Sequence, residues 1–437
     1  MPIQFNHRRR LGVALGAATV LGLALGGCSS ATPEEPAGSE TPSGPVTLRL
    51  SVEAGSAEAP VAVLAQQYSK ENPDVTFDVE PVPNEQYGEV LRTQLQGGNA
   101  PDVFYVTGGQ GNPHSALPLA EAGYLVDLSK TVAKDLYTDQ SRFLGEFDGK
   151  IWTQPYDFVP VTNNYNLTVA KELGIDLPFK SVDDVLDACG VAQKAGKSLL
   201  RLAGSTVPNN GLTTLQLAAT RVYSEDPDWN EKRLKGDVTF ADTKGWTESL
   251  ELIVKMYKEG CFQQGAEAGV IADNVPAIAA GTAVGGFAPG GQIGDLRRVN
   301  PDNEYVSTAF PGDKGEKYLF ASPSNMLALN ASSDKAKQKA GLAFLAWLAE
   351  PEHADALAEV SGNLSIRAGA GAELPDQYQF ISDYFSDENY QPLGNLQWPS
   401  PEIYNTLGTG VQGLLTGQTD VESVLKAMDA AWDQAAG

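Results

Sequence analysis

"VTLRLSVEAGSAEAPVAVLAQQYSKENPDVTFDVEPV", residues 46–82, decides the fold. "VTLRLSVEA" alternates apolar and polar residues as a strand does, "APVAVLAQQYSKENP" reads as a helix stopped before Pro73, and "VTFDVEPV" is a second strand. Next comes "NEQYGEVLRTQLQGGNAP", which sets Tyr87, Val90, Leu91 and Leu95 on one helical face and ends in glycines. "DVFYV" then forms an apolar strand of the kind buried on both faces. Strand, helix and strand at this spacing give parallel βαβ units and a layered α/β sheet. Farther on, "DTKGWTESLELIVKMYKEG" carries Trp246, Leu250, Ile253, Val254 and Tyr257 at helical spacing. "SDKAKQKAGLAFLAWLAEPEHADALAEVSG" is a helical pair broken by Pro351.

Upstream of this region the sequence has a different character. Arg8, Arg9 and Arg10 precede the apolar run "LGVALGAATVLGLALGG", which ends at Cys28. A basic start, an apolar run and a small-residue cleavage site describe an export signal over residues 1–27. "LGGC" resembles a bacterial lipobox, which implies lipidation of Cys28; an ordinary signal is the other reading, and the arginines leave the export route open. Residues 29–45 contain only Ser, Ala, Thr, Pro, Glu and Gly, none able to build a core, so 28–45 reads as the lipidated cysteine and a disordered tether. The folded part therefore starts at Val46, anchored to a membrane but not inserted in it, and is long enough for two domains. Removing residues 1–27 moves the net charge from −24 to about −27. So acidic a chain argues against nucleic acid, whose phosphates need Lys and Arg. Beyond Cys28 only Cys189 and Cys261 remain, and in an oxidising compartment they suggest one disulfide, two free thiols being the alternative.

Catalytic motifs are scarce. "GVAQKAGKS", residues 190–198, has one residue too many between its glycines for a P-loop. It also follows a helix and precedes a strand, the reverse of what phosphate binding requires. "YNTLGTGVQGLLTGQ", residues 404–418, contains GxGxxG at Gly408, Gly410 and Gly413. It lies inside a helical pattern with Leu407, Val411, Leu414 and Leu415 on one face, so close packing explains the glycines and Gly417 ends the helix. The histidines are His7, His114 and His353, and no HExxH, CxxC or GxSxG occurs. No metal site, cofactor or nucleophile is expected. A pair of carboxylates for glycoside hydrolysis keeps an enzyme as the alternative. Among the aromatics, Trp246, Trp347 and Trp432 lie on apolar helical faces and read as core. Trp229 in "EDPDWNEK" and Trp398 in "NLQWPSPE" occupy polar, Pro-rich loops, a setting suited to stacking on sugar rings.

Four segments, in order, resemble the extracellular solute-binding proteins of carbohydrate ABC importers. They are "ENPDVTFDVEPVPNEQYGEVLRTQLQGGNAPDVFYV", "FDGKIWTQPYDFVPVTNNYNLTVAKELGID", "AFLAWLAEPEHADALAEVSGNLSIR" and "PEIYNTLGTGVQGLLTGQTDVESVLKAMDAAWDQA". The resemblance implies a type II periplasmic-binding-protein fold, with lobe 1 over 46–160 and 322–367 and lobe 2 over 161–321 and 368–437. It implies crossings near 158–163, 320–324 and 365–370, and a sugar bound between the lobes for delivery to an ABC permease. The expected product is a monomeric, lipid-anchored receptor on the outer face of the cytoplasmic membrane, at the surface of a Gram-positive cell. Carried over by matching segment, the ligand contacts are Glu53, Thr107, Gly108, Gln110, Tyr156, Asp157, Phe287, Gly290, Ser322, Asn325, Arg367, Trp398 and Tyr404. Trp229 joins them as a loop aromatic. Maltodextrin-binding relatives carry aromatics about where Gly290 and Val106 stand, so a different or shorter sugar is expected.

Overall fold

The computed structural model describes residues 44–54, 59–370 and 373–436. The leader over 1–27, Cys28 and all but the end of the tether lie outside them. The N-terminal half of the chain opens as the pattern requires. Strand β1 (Val46–Ala54), helix α1 (Pro60–Glu71), strand β2 (Val75–Pro83), helix α2 (Asn84–Gln96) and strand β3 (Val103–Thr107) follow in order. Proline is the first residue of α1, where a missing N–H is harmless, and Val61, Leu64, Ala65 and Tyr68 bury one face. Strand β1 runs parallel to both β2 and β3.

The chain then leaves this sheet. Strand β4 (Asp157–Asn166) has all ten residues buried, because its sheet is covered on both faces. Helix α3 (Val182–Lys194) begins with a capping box from Ser181 and Asp184. It stops at Gly196, whose φ is +72°, before strand β5 (Ser198–Arg201), so the P-loop-like stretch is a helix end. Helices α4 (Val207–Ala218) and α5 (Lys244–Lys258) precede strands β6 (Ala283–Pro289), β7 (Leu319–Ser322) and β8 (Asn325–Leu329). Helices α6 (Lys335–Leu348), α7 (Pro351–Ser361), α8 (Pro401–Thr416) and α9 (Val421–Ala436) complete the main elements.

Two sheets result. The first has the order β2-β1-β3-β8 followed by the short strand Gln154–Pro155, and the second runs from Tyr390–Gln391 through β7, β4 and β6 to β5. Each carries its own hydrophobic core. The molecule is therefore a mixed α/β protein with two sheet-containing lobes. The chain crosses between sheets at 155–157 and again at 322–325. A third crossing follows α7, where Leu364 and Ser365 pair with Phe158 and Asp157. The first of these comes a few residues earlier than the expected 158–163, because β4 belongs wholly to the second sheet.

Helix α8 accounts for the GxGxxG. A Cβ on Gly408 would lie 2.2 Å from the carbonyl oxygen of Val207, and one on Gly410 would lie 2.5 Å from Val424. The glycines let α8 seat against α4 and α9, and Gly417 closes the helix with φ of +73°. Cys189 on α3 is bridged to Cys261, the Cα atoms 4.7 Å apart.

Candidate functional site

Where β1, β3 and the crossings meet, polar side chains gather at the carboxyl ends of the parallel strands. That is where open α/β sheets present their ligand-binding edge. Glu53 is the last described side chain of β1 and keeps 26% of its surface exposed. Burial pushes its pKa up to about 7. His114, from the loop after β3, lies 3.5 Å away through Nε2, which also sits 2.7 Å from Thr107 Oγ1. Burial drives the histidine down to about 4, so near neutral pH it is uncharged and the contact is not an ion pair.

Two tyrosines stand beside this acid. Tyr105 alternates out of the buried face of β3 and donates its hydroxyl to Asn325 Oδ1 at 3.1 Å. Tyr156 precedes β4 and its amide donates to the carbonyl of Asn325 at 3.2 Å. Both hydroxyls are held well above the ordinary tyrosine range, first by burial and then by the nearby carboxylates Glu53 and Asp157. Tyr87 backs them from α2, bonding the carbonyls of Ser51 and Tyr105. Asp157 itself is buried, with Asn363 and Asn325 donating to its Oδ2. The structure thus brings together Glu53, Thr107, Tyr156, Asp157 and Asn325 from the expected set. Tyr105, Tyr87, Asn363 and His114 stand there too, and none of them was among the expected contacts. The available signal for Tyr105 was its hydroxyl in an otherwise apolar strand whose Val103, Phe104 and Val106 are fully buried.

The other expected contacts lie elsewhere. Gly108 is a packing residue whose amide bonds the carbonyl of Ser324. Gln110 ties the loop after β3 to the turn at 394–397, through its amide to Leu396 O at 2.9 Å and its side chain to Gln397 O at 3.2 Å. Gly111 permits this approach, since a Cβ there would come within 1.8 Å of the Asn395 carbonyl. Ser322 is buried at the end of β7.

Several expectations need correction. Trp229 and Trp398 are fully buried, so neither is a loop platform. Trp229 opens a helix and bonds Thr243, and the Trp398 indole donates to Asn230. Both join Trp246, Trp432 and Phe240 in one aromatic core. The hydrophobic gain of burying two indoles outweighs the polarity of their sequence neighbours. Phe287 faces the same lobe's core and stacks on Phe310 at 5.7 Å. Gly290 abuts Tyr378 and Pro160, leaving no room for any side chain. Tyr404 packs its ring on Gly211 and donates its hydroxyl to Pro208 O. Arg367 is exposed and paired with Asp355 at 3.2 Å.

A competing concavity of about 610 Å³ runs past Arg297, Arg298, Asp355, Asn363, Arg367 and Gln377. Its arginines are already engaged: Arg367 holds Asp355, Arg298 holds Asp295 and Arg297 bonds Gln377. Among the described residues the carboxyl group of Glu53 has no such partner beyond a neutral imidazole, which favours the strand-end site. Among the described residues no group of three or more His, Cys, Asp or Glu is placed to hold a metal, and no helix is long and apolar enough to cross a membrane.

Solved structures share this fold. A chitin oligosaccharide binding protein superposes with a TM-score of 0.73 at 20% identity, over 88% of this chain and 98% of its own. RafE in complex with raffinose gives 0.71 at 20%, over 90% and 100%. The GacH receptor of Streptomyces glaucescens, known unliganded and with acarbose, gives 0.71 at 18%, over 89% and 98%. No curated protein sequence matches the chain. A family model described as bacterial extracellular solute-binding protein matches residues 63–384, most of the molecule. The chain belongs to that family of bacterial extracellular solute-binding proteins.

Proposed function

We propose that this chain is the capture subunit of a carbohydrate ABC importer, which takes a mono- to oligosaccharide between its two lobes and hands it to a permease. The observation that carries the reading is the strand-end site itself. Glu53 offers an acceptor with no cation committed to it, and Tyr105 and Tyr156 stand beside it with rings suited to the C–H face of a sugar. Similar folds whose descriptions name chitin oligosaccharide, raffinose and acarbose support a carbohydrate as the ligand. The two lobes meet at the crossings at 155–157, at 322–325 and after α7, and hinge closure traps the ligand without making or breaking a bond. A lipid on Cys28 would hold the monomer at the outer face of the cytoplasmic membrane, with the segment 28–45 as tether. No cofactor enters this scheme.

A thermal-shift screen across mono-, di- and trisaccharides tests it. One sugar class should raise the melting temperature without being consumed, and Glu53→Gln should weaken that sugar by about tenfold, ~1.4 kcal/mol. Hydrolysis of the sugar, or the absence of any stabilising carbohydrate, overturns the reading.

A further inference from the structure

Asp157 opens β4 at the point where the chain first leaves the five-stranded sheet. Its side chain is 1% exposed. Oxygen Oδ2 accepts from Asn363 Nδ2 at 2.6 Å and from Asn325 Nδ2 at 3.3 Å. Asn325 begins β8 just after the second crossing, and Asn363 lies in the third. Backbone contacts draw the same points together, since Tyr156 N donates to Asn325 O and Asp157 pairs with Ser365. A single carboxylate oxygen therefore gathers residues 168 and 206 positions away along the chain.

We propose that Asp157 is a positioning residue of the hinge, gathering all three lobe crossings into one buried knot, and not a contact for the ligand. The inference rests on the two-lobed fold and is independent of which solute is bound. A ligand contact would need an oxygen open to the cleft, whereas here both are buried: Oδ2 serves two amides, and Oδ1, though it has no partner, is closed off from the surface. The knot also has a sign with respect to pH. Tyr105 and Tyr156 face the carboxyl group from the first sheet, with Glu53 acting on both of them, and Tyr378 faces it from the turn Asp376–Ile381. None of these is a cation, and Arg297, which acts on Tyr378, is bonded to Gln377. The two amides favour the carboxylate, but burial outweighs them and pushes the group up to about 7. A hydrated aspartate titrates near ~3.9. Between those values the tied knot keeps a proton that a loosened, hydrated one gives up, so the knot is secure below neutrality and weakens as pH rises towards 7.

Small-angle scattering of the ligand-free protein from pH 5.5 to 8.5 reads this directly. The radius of gyration should rise with a midpoint near pH 7, and Asp157→Asn, neutral throughout, should hold the acid-side value across the range. Glu53→Gln removes the other carboxyl group that titrates near neutrality and should leave the transition in place. Asn363→Leu takes away a donor that favours the carboxylate, so the midpoint should move upwards; this variant decides the matter even if Asp157→Asn does not fold. A wild type without a transition, a transition that survives Asp157→Asn or vanishes in Glu53→Gln, or an unmoved midpoint in Asn363→Leu overturns the proposal.

Discussion

The two lobes use their aromatic residues in opposite ways. In the lobe built on β4, Trp229, Trp246, Trp398 and Trp432 are all buried, arranged around Phe240 with ring centroids 4.8 to 5.8 Å from it. The lobe built on β1 sets Tyr105 and Tyr156 half-buried at its strand ends, beside the acid. A cluster of indoles thus fills one lobe's core, while two phenols stand at the strand ends of the other. A donor on the rim of a ring suits an edge that must meet water and ligand in turn, whereas a large ring with one N–H suits an interior. Tryptophan in a polar loop is therefore no guide to exposure: the turn Gly394–Gln397 folds Trp398 back inside, and its preceding backbone reaches across to the loop after β3.

Trp398→Ala is the most direct attack on this contrast. Removing a fully buried indole should lower stability by about 4 kcal/mol. Asn230 would also lose a partner, although Tyr223 still donates to it at 3.0 Å. Urea unfolding checks the loss. Should the variant keep wild-type stability and lose only sugar affinity, the ring is a ligand platform and the comparison fails.

Reduction of Cys189–Cys261 should have the next largest effect. The bridge closes a segment of 72 residues within the indole-bearing lobe and should contribute about 3 kcal/mol, mostly by restricting the unfolded chain. Hydrogen exchange after reduction should quicken in α3 and around residue 261 and leave β1–β3 unchanged. Equal quickening in both lobes would show that the two cores do not unfold separately.

The amino-acid pattern revealed the architecture more readily than the site. Apolar periodicity exposed β1, α1, β2 and α2 because each element buries one face along consecutive residues. The glycines of α8 could be recognised as packing residues because Leu407, Val411 and Leu414 set the helical phase around them. Glu53 was reached through the family resemblance, as the residue near the end of the first strand where such proteins contact their ligand. The remainder of the site was hidden for physical reasons. Tyr105 sits in the apolar run "DVFYV", where its hydroxyl is the sole sign that it turns away from the core. Asn363 matters only through Asp157, a neighbour 206 residues distant that no local pattern announces. Trp229 and Trp398 misled because their loop neighbours are polar, while the burial of their rings is decided by helices α5 and α9 far along the chain.

Tyr105→Phe should have the smallest effect and separates the two parts of that side chain. The substitution removes one donor to Asn325 Oδ1 and keeps the ring, so stability should fall by about 1 kcal/mol in thermal or urea unfolding. If the ring face meets the sugar, affinity should change by less than about threefold, since the contact surface is intact and only its support has weakened. Tyr105→Ala should then weaken binding by more than about tenfold. A tenfold loss from the phenylalanine variant alone would mean that the hydroxyl meets the ligand. The lobe built on β1 would then present a purely polar wall, and the division of labour between indoles and phenols would rest on hydrogen bonding and not on stacking.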